Sequence, residues 1–234
     1  MNILALDTTG PVAGVAILKN GEAAYEAMAV NRFTHSASLL PMVEEGFLRS
    51  GLVLGDMDLL AVTVGPGSFT GVRIGVSTVK GLAHGAGKPC VGIDALEALA
   101  AGVPALGATI CPIQDARAGQ VYGAAFAPGI PPLRLMANAA LKLEDYLARV
   151  TAWNAPYLFV GDGAPSHREA IEKALGLKAV FAPAHCRFLR PLSVAMLAEQ
   201  YKHQAVDYQT LMPVYLRAPQ AERQRKSREE AHGA

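Results

Sequence analysis

Four short segments carry the residue types that could do chemistry. Asp7-Thr8-Thr9-Gly10 sets a carboxylate and two hydroxyls after an apolar run, and Gly65-Pro66-Gly67-Ser68-Phe69-Thr70-Gly71 joins an apolar run to a helix-forming stretch. Asp115-Ala116-Arg117 and Gly161-Asp162-Gly163 repeat the acidic-turn theme further along. An acidic residue with small hydroxyls at a turn can hold Mg²⁺ and phosphate through side-chain oxygens and exposed N–H groups. The same residues can also hydrogen-bond their own turn, and spacing alone favours that reading for Asp7 and Thr8. For Gly67, Ser68, Thr70 and Gly71, anion capture at a helix N-terminus and plain N-capping by Ser68 or Thr70 stand level. Val72-Arg73 follows the last glycine where a Walker loop requires Lys and then Ser or Thr, which excludes a P-loop. Asp115 could act as a base or metal ligand in a sugar- or acetate-kinase-like enzyme, but an Asp115 to Arg117 pair bracing the turn is preferred. Gly161-Asp162-Gly163 either approaches a nucleotide or only turns the chain.

Other chemistries lack their residues. The 6 histidines include no His-Glu-x-x-His pattern and no cluster with metal-ligand spacing, so no metal is expected. Ser68 does not sit at the centre of a Gly-x-Ser-x-Gly elbow, which argues against a serine hydrolase. The 3 cysteines, Cys90, Cys111 and Cys186, are far apart and read as reduced, buried thiols of a cytoplasmic protein.

The elements that must position these residues follow from the apolar pattern. Strands are expected at 2–8, 12–19 and 22–30, with Asn20-Gly21 as a hairpin turn. A helix follows at 35–50, with Leu39, Val43 and Phe47 recurring every four residues, and Pro41 requires that it start late, near Ser38, or kink. A strand at 59–64, a helix at 71–84, a strand at 90–93 and a helix to 101 capped by Asp94 complete a first unit. Strands at 109–114 and 120–127 restart the same order, followed by a helix at 141–150, a strand at 157–160, a helix at 166–175 and a strand at 179–181. A last helix is expected at 192–203. Mixed sheets flanked by helices, in a first lobe at 1–105 and a smaller, degenerate second at 106–217, are the simplest account, with 218–234 a mobile tail. The last helix is allowed to pack back on the first lobe. Gly71, Gly75, Thr78 and Gly81 leave one side of the second helix bare, which suits close approach of another helix, either in the same lobe, the commoner case, with the helix at 35–50 the obvious companion, or in another subunit.

Composition sets the outer bounds. The chain has 234 residues, 51% hydrophobic and 18% charged, with 21 Lys+Arg against 20 Asp+Glu. That is an ordinary globular balance without the broad basic field of a stand-alone nucleic-acid binder. The start has no basic region before its apolar run, and the uncharged stretch at 98–114 is broken by Gly102, Pro104, Gly107 and Pro112, so neither a signal peptide nor a membrane span is expected.

Taken together, Leu4-Ala5-Leu6-Asp7-Thr8, His35-Ser36 with Leu39-Leu40-Pro41, the block from Gly65 to Gly75, Lys80-Gly81-Leu82-Ala83, Asp115-Ala116-Arg117 with Val121-Tyr122, and Pro213-Val214-Tyr215-Leu216-Arg217 resemble the TsaB family, also called YeaZ. The long Gly-Pro-Gly-Ser-Phe-Thr-Gly-Val-Arg block is specific, and the stretch at 128–189 matches only loosely. The resemblance implies an α/β actin-like (RNase H-like, ASKHA superfamily) two-lobed fold. It implies a noncatalytic scaffold that binds the catalytic paralogue TsaD for N6-threonylcarbamoyladenosine formation beside the tRNA anticodon. The TsaE ATPase, a self-dimer through the same helices, and tRNA met through the complex are the further partners it implies, with no membrane. An older label, glycoprotease-like, finds no protease constellation here.

TsaD holds its metal with a histidine pair on the helix matching 35–50, whereas this chain has His35 and then Leu39, which fits a noncatalytic role. The implied partner interface is His35, Leu39, Leu40, Val43, Phe47, Val72, Gly75, Val76 and Val79. Asp7, Thr8, Gly67, Ser68, Thr70, Gly71, Arg73 and Asp115 would be a vestigial nucleotide or anion site. No cofactor is expected to bind tightly, with ATP or ADP only at the boundary with a partner. The alternative is a stand-alone small-molecule kinase of the same fold with Asp7 and Asp115 around Mg-ATP.

Overall fold

The structure, a computed structural model, describes residues 1–30, 35–104, 107–117 and 119–217. The 105/106 lobe boundary and the expected tail at 218–234 lie outside the described residues. Strands β1 (Ile3–Asp7), β2 (Ala13–Lys19), β3 (Glu22–Ala29), β4 (Leu59–Gly65) and β5 (Cys90–Asp94) form one sheet in the order β3-β2-β1-β4-β5. Strands β6 (Thr109–Asp115), β7 (Gln120–Ala127), β8 (Leu133–Lys142), β9 (Tyr157–Val160) and β10 (Ala179–Phe181) form the other, β10-β9-β6-β7-β8. In both, the first three strands are an antiparallel meander and the last two join parallel to the first. The second sheet therefore repeats the topology of the first.

The helices are α1 (His35–Ser50), α2 (Phe69–Ala86), α3 (Ala95–Ala101), α4 (Leu143–Val150), α5 (Gly163–Ser166), α6 (Arg168–Leu175) and α7 (Pro191–Gln200). Three buried clusters define their layers. Helices α1 and α2 cover one face of the first sheet through Leu39, Val43, Val72, Val76 and Val79. Helices α4 to α6 cover the outer face of the second through Tyr146, Leu147 and Ile171. Between the sheets lie α3 and α7, whose Leu96, Leu99, Val194 and Leu197 share one cluster with Ile3 and Val91 of the first sheet and Phe126 and Leu158 of the second. A helix between two sheets is buried all round, and Ala95 to Ala100 are buried without exception, with Glu97 the one charged residue among them.

Local chemistry explains the boundaries. Asn20 (φ 55°) and Gly21 (φ 82°) supply the two left-handed residues of the β2–β3 turn. Ser68 caps α2 by accepting from Gly71 N, and Gly87, left-handed at φ 62°, ends it. Asp94 caps α3, its Oδ1 accepting from Leu96 N and Glu97 N at 2.9 Å.

Several elements differ from the sequence expectation. Helix α1 starts at His35 and runs to Ser50 with Pro41 inside, so the late start near Ser38 is not adopted; burial of Leu39, Val43 and Gly46 holds the turns on either side of the proline. Helix α2 begins two residues before Gly71, where its Ser68 cap dictates. Strand β8 was not expected, since Ala, Leu, Met and Lys give its sequence helical preferences that pairing with β7 overrides. The helix expected at 166–175 divides at His167 into α5 and α6. Helix α7 stops at Gln200, followed by a 3-10 turn at Lys202–Gln204.

After α7 the chain returns to the first sheet as a strap along α2. Val206 pairs with Cys90 at the β5 edge, Tyr208 stacks on His84 with centroids 4.6 Å apart, and Lys80 Nζ donates to Gln209 O and Leu211 O. Val214 N donates to Val64 O at 2.7 Å, and Tyr215 meets Phe69 at 4.8 Å. The strap so runs antiparallel to α2 from its C-terminal to its N-terminal end.

Candidate functional site

The acidic turns meet where the two sheets approach. Asp7 ends β1 and is 1% exposed; its Oδ1 accepts from Thr9 N at 3.0 Å, Thr9 Oγ1 at 2.7 Å and Thr63 Oγ1. Burial pushes its pKa up, opposed by the bonds from Thr63 and Thr9 and by the charge of His35. Asp7 and Thr9 hydrogen-bond within the turn, whereas Thr8 Oγ1 donates to Gly71 O at 2.7 Å and so ties the turn to the first turn of α2 instead of bracing the turn itself. His35, at the start of α1, reaches the same turn, its Nε2 2.9 Å from Gly10 O.

A cavity of about 10 Å³ remains between the lobes, lined by Asp7, Gly10, Pro11, Val12, Leu99, Gln114, Asp162, Phe188 and Leu189. Asp162 joins Asp7 here, which gives Gly161-Asp162-Gly163 a place in the cleft. Desolvation raises the Asp162 carboxyl to about 6, Asp115 adding repulsion and backbone N–H groups opposing it. Gln114 is 4% exposed and its Oε1 has no hydrogen-bond partner among the described residues. The space is of the order of a single water, against several hundred Å³ for a nucleotide-sized pocket.

Asp115 is exposed at the end of β6 and absent from the cavity lining. Its Oδ1 accepts from Arg117 N at 2.7 Å, so it braces the turn through the backbone rather than through the expected pair with the Arg117 guanidinium. Among the described residues no group of three His, Cys, Asp or Glu is set for a metal.

The glycine-rich loop and helix pack inward. A Cβ at Gly67 would lie 2.5 Å from Thr9 O, one at Gly75 2.5 Å from Thr8 Oγ1 and 3.1 Å from Val62, and one at Gly71 would collide with Thr8 O. Gly71 and Gly75 thus admit the Thr8 turn of the same lobe, whereas Gly81 faces open space. The expectation that these glycines form one stripe for another helix is corrected accordingly. Ser68 is spent on its cap, and Thr70 and Arg73 are exposed.

The expected partner face divides in the same way. Leu39, Val43, Val72, Val76 and Val79 are between 0% and 3% exposed and, with Gly75, belong to the lobe's own interior, so they cannot be the contacting surface. Leu40 at 47% and Leu48 at 75% stand out from α1, with Phe47 half-buried beside them. Helical spacing identified the apolar side of α1 and α2 but could not separate the part that folds the lobe from the part left outside.

Sequence reading missed a network joining the lobes. Arg134 of β8 reaches Asp94 and Glu97 at 3.3 Å each, Asn138 Nδ2 donates to Asp94, and Tyr201 donates to Glu97. These residues sit far apart in sequence, and β8 itself was not foreseen.

The comparisons address this geometry directly. The family model for tRNA N6-adenosine threonylcarbamoyltransferase, TsaD, matches residues 30–225. A protein of Bacillus subtilis strain 168 named tRNA threonylcarbamoyladenosine biosynthesis protein TsaB is 33% identical over 223 residues, 95% of this chain and 96% of that one. The chain belongs to the TsaB family. The TsaB of Escherichia coli K12 is 35% identical, over 93% of this chain and 95% of its own. The solved YeaZ of Pseudomonas aeruginosa superposes with a TM-score of 0.80 at 28% identity, covering 92% of this chain and 99% of that one. Component A of (R)-2-hydroxyglutaryl-CoA dehydratase from Acidaminococcus fermentans shares the fold at TM-score 0.52 and 11% identity, over 87% and 99% of the two chains. The two-lobed, actin-like α/β architecture of TsaB proteins is therefore the fold of this chain.

Proposed function

We propose that this TsaB-family chain is a noncatalytic scaffold subunit in N6-threonylcarbamoyladenosine formation, binding the TsaD-type paralogue that transfers the threonylcarbamoyl group. The observation that carries the reading is the cleft. Where a kinase of this fold would hold Mg-ATP, this chain leaves about 10 Å³, and the Asp7 carboxylate is already engaged by Thr9 and Thr63. A chain of the family without room for nucleotide contributes through its surface. The exposed row of α1, Leu40 and Leu48 with Phe47 beside them, is the docking face in this reading. The same face accounts for self-association when the paralogue is absent. A TsaE-type ATPase joins the pair, tRNA is met by the complex, and the setting is the cytoplasm.

Capture of the TsaD-type paralogue by the tagged chain tests this. The wild type retains it, and Leu40→Glu with Leu48→Glu reduces retention at least tenfold while leaving the melting temperature in place, because both side chains are exposed. Failure of the wild type to capture the paralogue, together with tight binding of Mg-ATP by the chain alone, would return the kinase reading.

A further inference from the structure

The strap ends by gathering arginines from three separate elements. Arg73, one turn into α2, lies with Cζ 3.9 Å over the Phe69 ring and 5.8 Å from that of Tyr215, and its Nε donates to Tyr215 Oη at 2.9 Å. Two residues on, past a bend at Leu216 and Arg217, Arg217 Nη1 donates to Ala116 O at 3.0 Å in the β6–β7 turn. The neighbour of Ala116 is Arg117, exposed and held in a left-handed conformation at φ 62° that Asp115 fixes. None of the three is in an ion pair among the described residues, whereas Arg49, Arg134, Arg168 and Arg190 all are.

We infer that Arg73, Arg117 and Arg217, gathered by the strap beside the Phe69 and Tyr215 rings, form a contact surface for an RNA backbone. Three guanidinium forks without carboxylates suit phosphate oxygens, to which Arg binds through paired N–H groups. Tyr215, 39% exposed, adds a ring face on which an unpaired base can stack. The acid next to the cluster in sequence, Asp115, has its Oδ1 engaged by Arg117 N. A cluster this small fits a chain of net charge +1, which offers a local contact and not a general polyanion field. The inference rests on the tRNA-modification reading and adds to it the part of this chain that touches the RNA.

Fluorescence anisotropy of a labelled anticodon stem-loop RNA, titrated with the full chain at several KCl concentrations, tests it. Wild type binds weakly with a salt-dependent affinity, and Arg73→Gln, Arg117→Gln and Arg217→Gln together weaken binding about tenfold. Each lost phosphate contact flattens the log-log salt slope by roughly 0.7–0.9. Arg49→Gln, Arg149→Gln and Arg168→Gln together remove the same charge elsewhere and leave affinity within about twofold. Arg117→Gly guards against misfolding, since glycine accepts the left-handed conformation; it folds at least as well as wild type and still loses two- to threefold in affinity. Equal losses from both triple variants, an unchanged salt slope, no binding by wild type at low salt, or equal competition by poly-glutamate would each overturn the inference. Paralogue capture, which these variants retain, keeps its failure distinct from failure of the scaffold reading.

Discussion

Asp162 carries a charge that the folded chain holds at a cost. Its carboxyl is raised to about 6 from an ordinary 3.8, first by desolvation and then by Asp115. As pH falls, the folded protein takes up this proton before the unfolded chain does, so stability rises through the window from about 6 down to about 4. Above about 6 the full penalty applies, at most about 3 kcal/mol. Asp162→Asn is therefore expected to stabilise the protein by about 1–3 kcal/mol at neutral pH and to make no difference near pH 4, measured by urea unfolding at both pH values. A penalty-free Asp162 would show the same difference at both. The glycines of α2 give a second residue-scale prediction. Gly75→Leu forces a side chain onto Thr8 Oγ1 and Val62 and should cost about 3 kcal/mol or prevent folding. Gly81→Ala, in open space on the same helix, should stabilise by roughly 0.5–1 kcal/mol. Thermal melts of the pair separate an inward-packed glycine from a merely small one.

At the scale of elements, α3 shows how one cap serves two purposes. Asp94 Oδ1 holds the first N–H groups of α3 while Oδ2 meets Arg134 and Asn138 of β8. Asp94→Ala should cost more than the roughly 1 kcal/mol of an ordinary cap, and Asp94→Ser, which keeps the cap alone, should recover only part of it in chemical denaturation. Full recovery by Ser would show the contact to β8 to be idle. That cap was legible in advance, as were the strands of the first sheet, because Asp94 precedes an apolar helix and β1 and β4 are nearly continuous apolar runs. Strand β8 was not, since its residues favour helix and only pairing with β7 makes it a strand. The acidic turns Asp7 and Asp162 were legible as turns, but their meeting in one cleft depends on how two sheets pack, which no local pattern records. The docking face failed in the opposite direction: Leu39, Val43 and the valines of α2 have the spacing of an apolar side, and burial inside the lobe uses that side up.

The molecule as a whole is welded along its middle. Helices α3 and α7 share one buried cluster with both sheets, so opening the cleft would expose Leu96, Leu99, Val194 and Leu197 together with Phe126 and Leu158. That is why the space beside Asp7 stays small. The polar counterpart of this weld is Glu97, 8% exposed, held by Tyr201 from the end of α7 and by Arg134 from β8. Tyr201, raised to about 12 by desolvation and by Glu97, stays protonated and donating at neutral pH. Removing Arg134 leaves a buried carboxylate with one donor, and the cost of such an uncompensated charge exceeds that of the pair itself. Arg134→Met should thus lose about 2–3 kcal/mol, whereas Arg134→Met with Glu97→Gln should recover most of it, because the amide still accepts from Tyr201. Urea unfolding of the two variants decides the point. Equal losses would mean that the apolar cluster alone joins the lobes. Recovery in the double variant would place Glu97 and Arg134 among the residues that hold the second lobe in register with the first and keep the cleft shut.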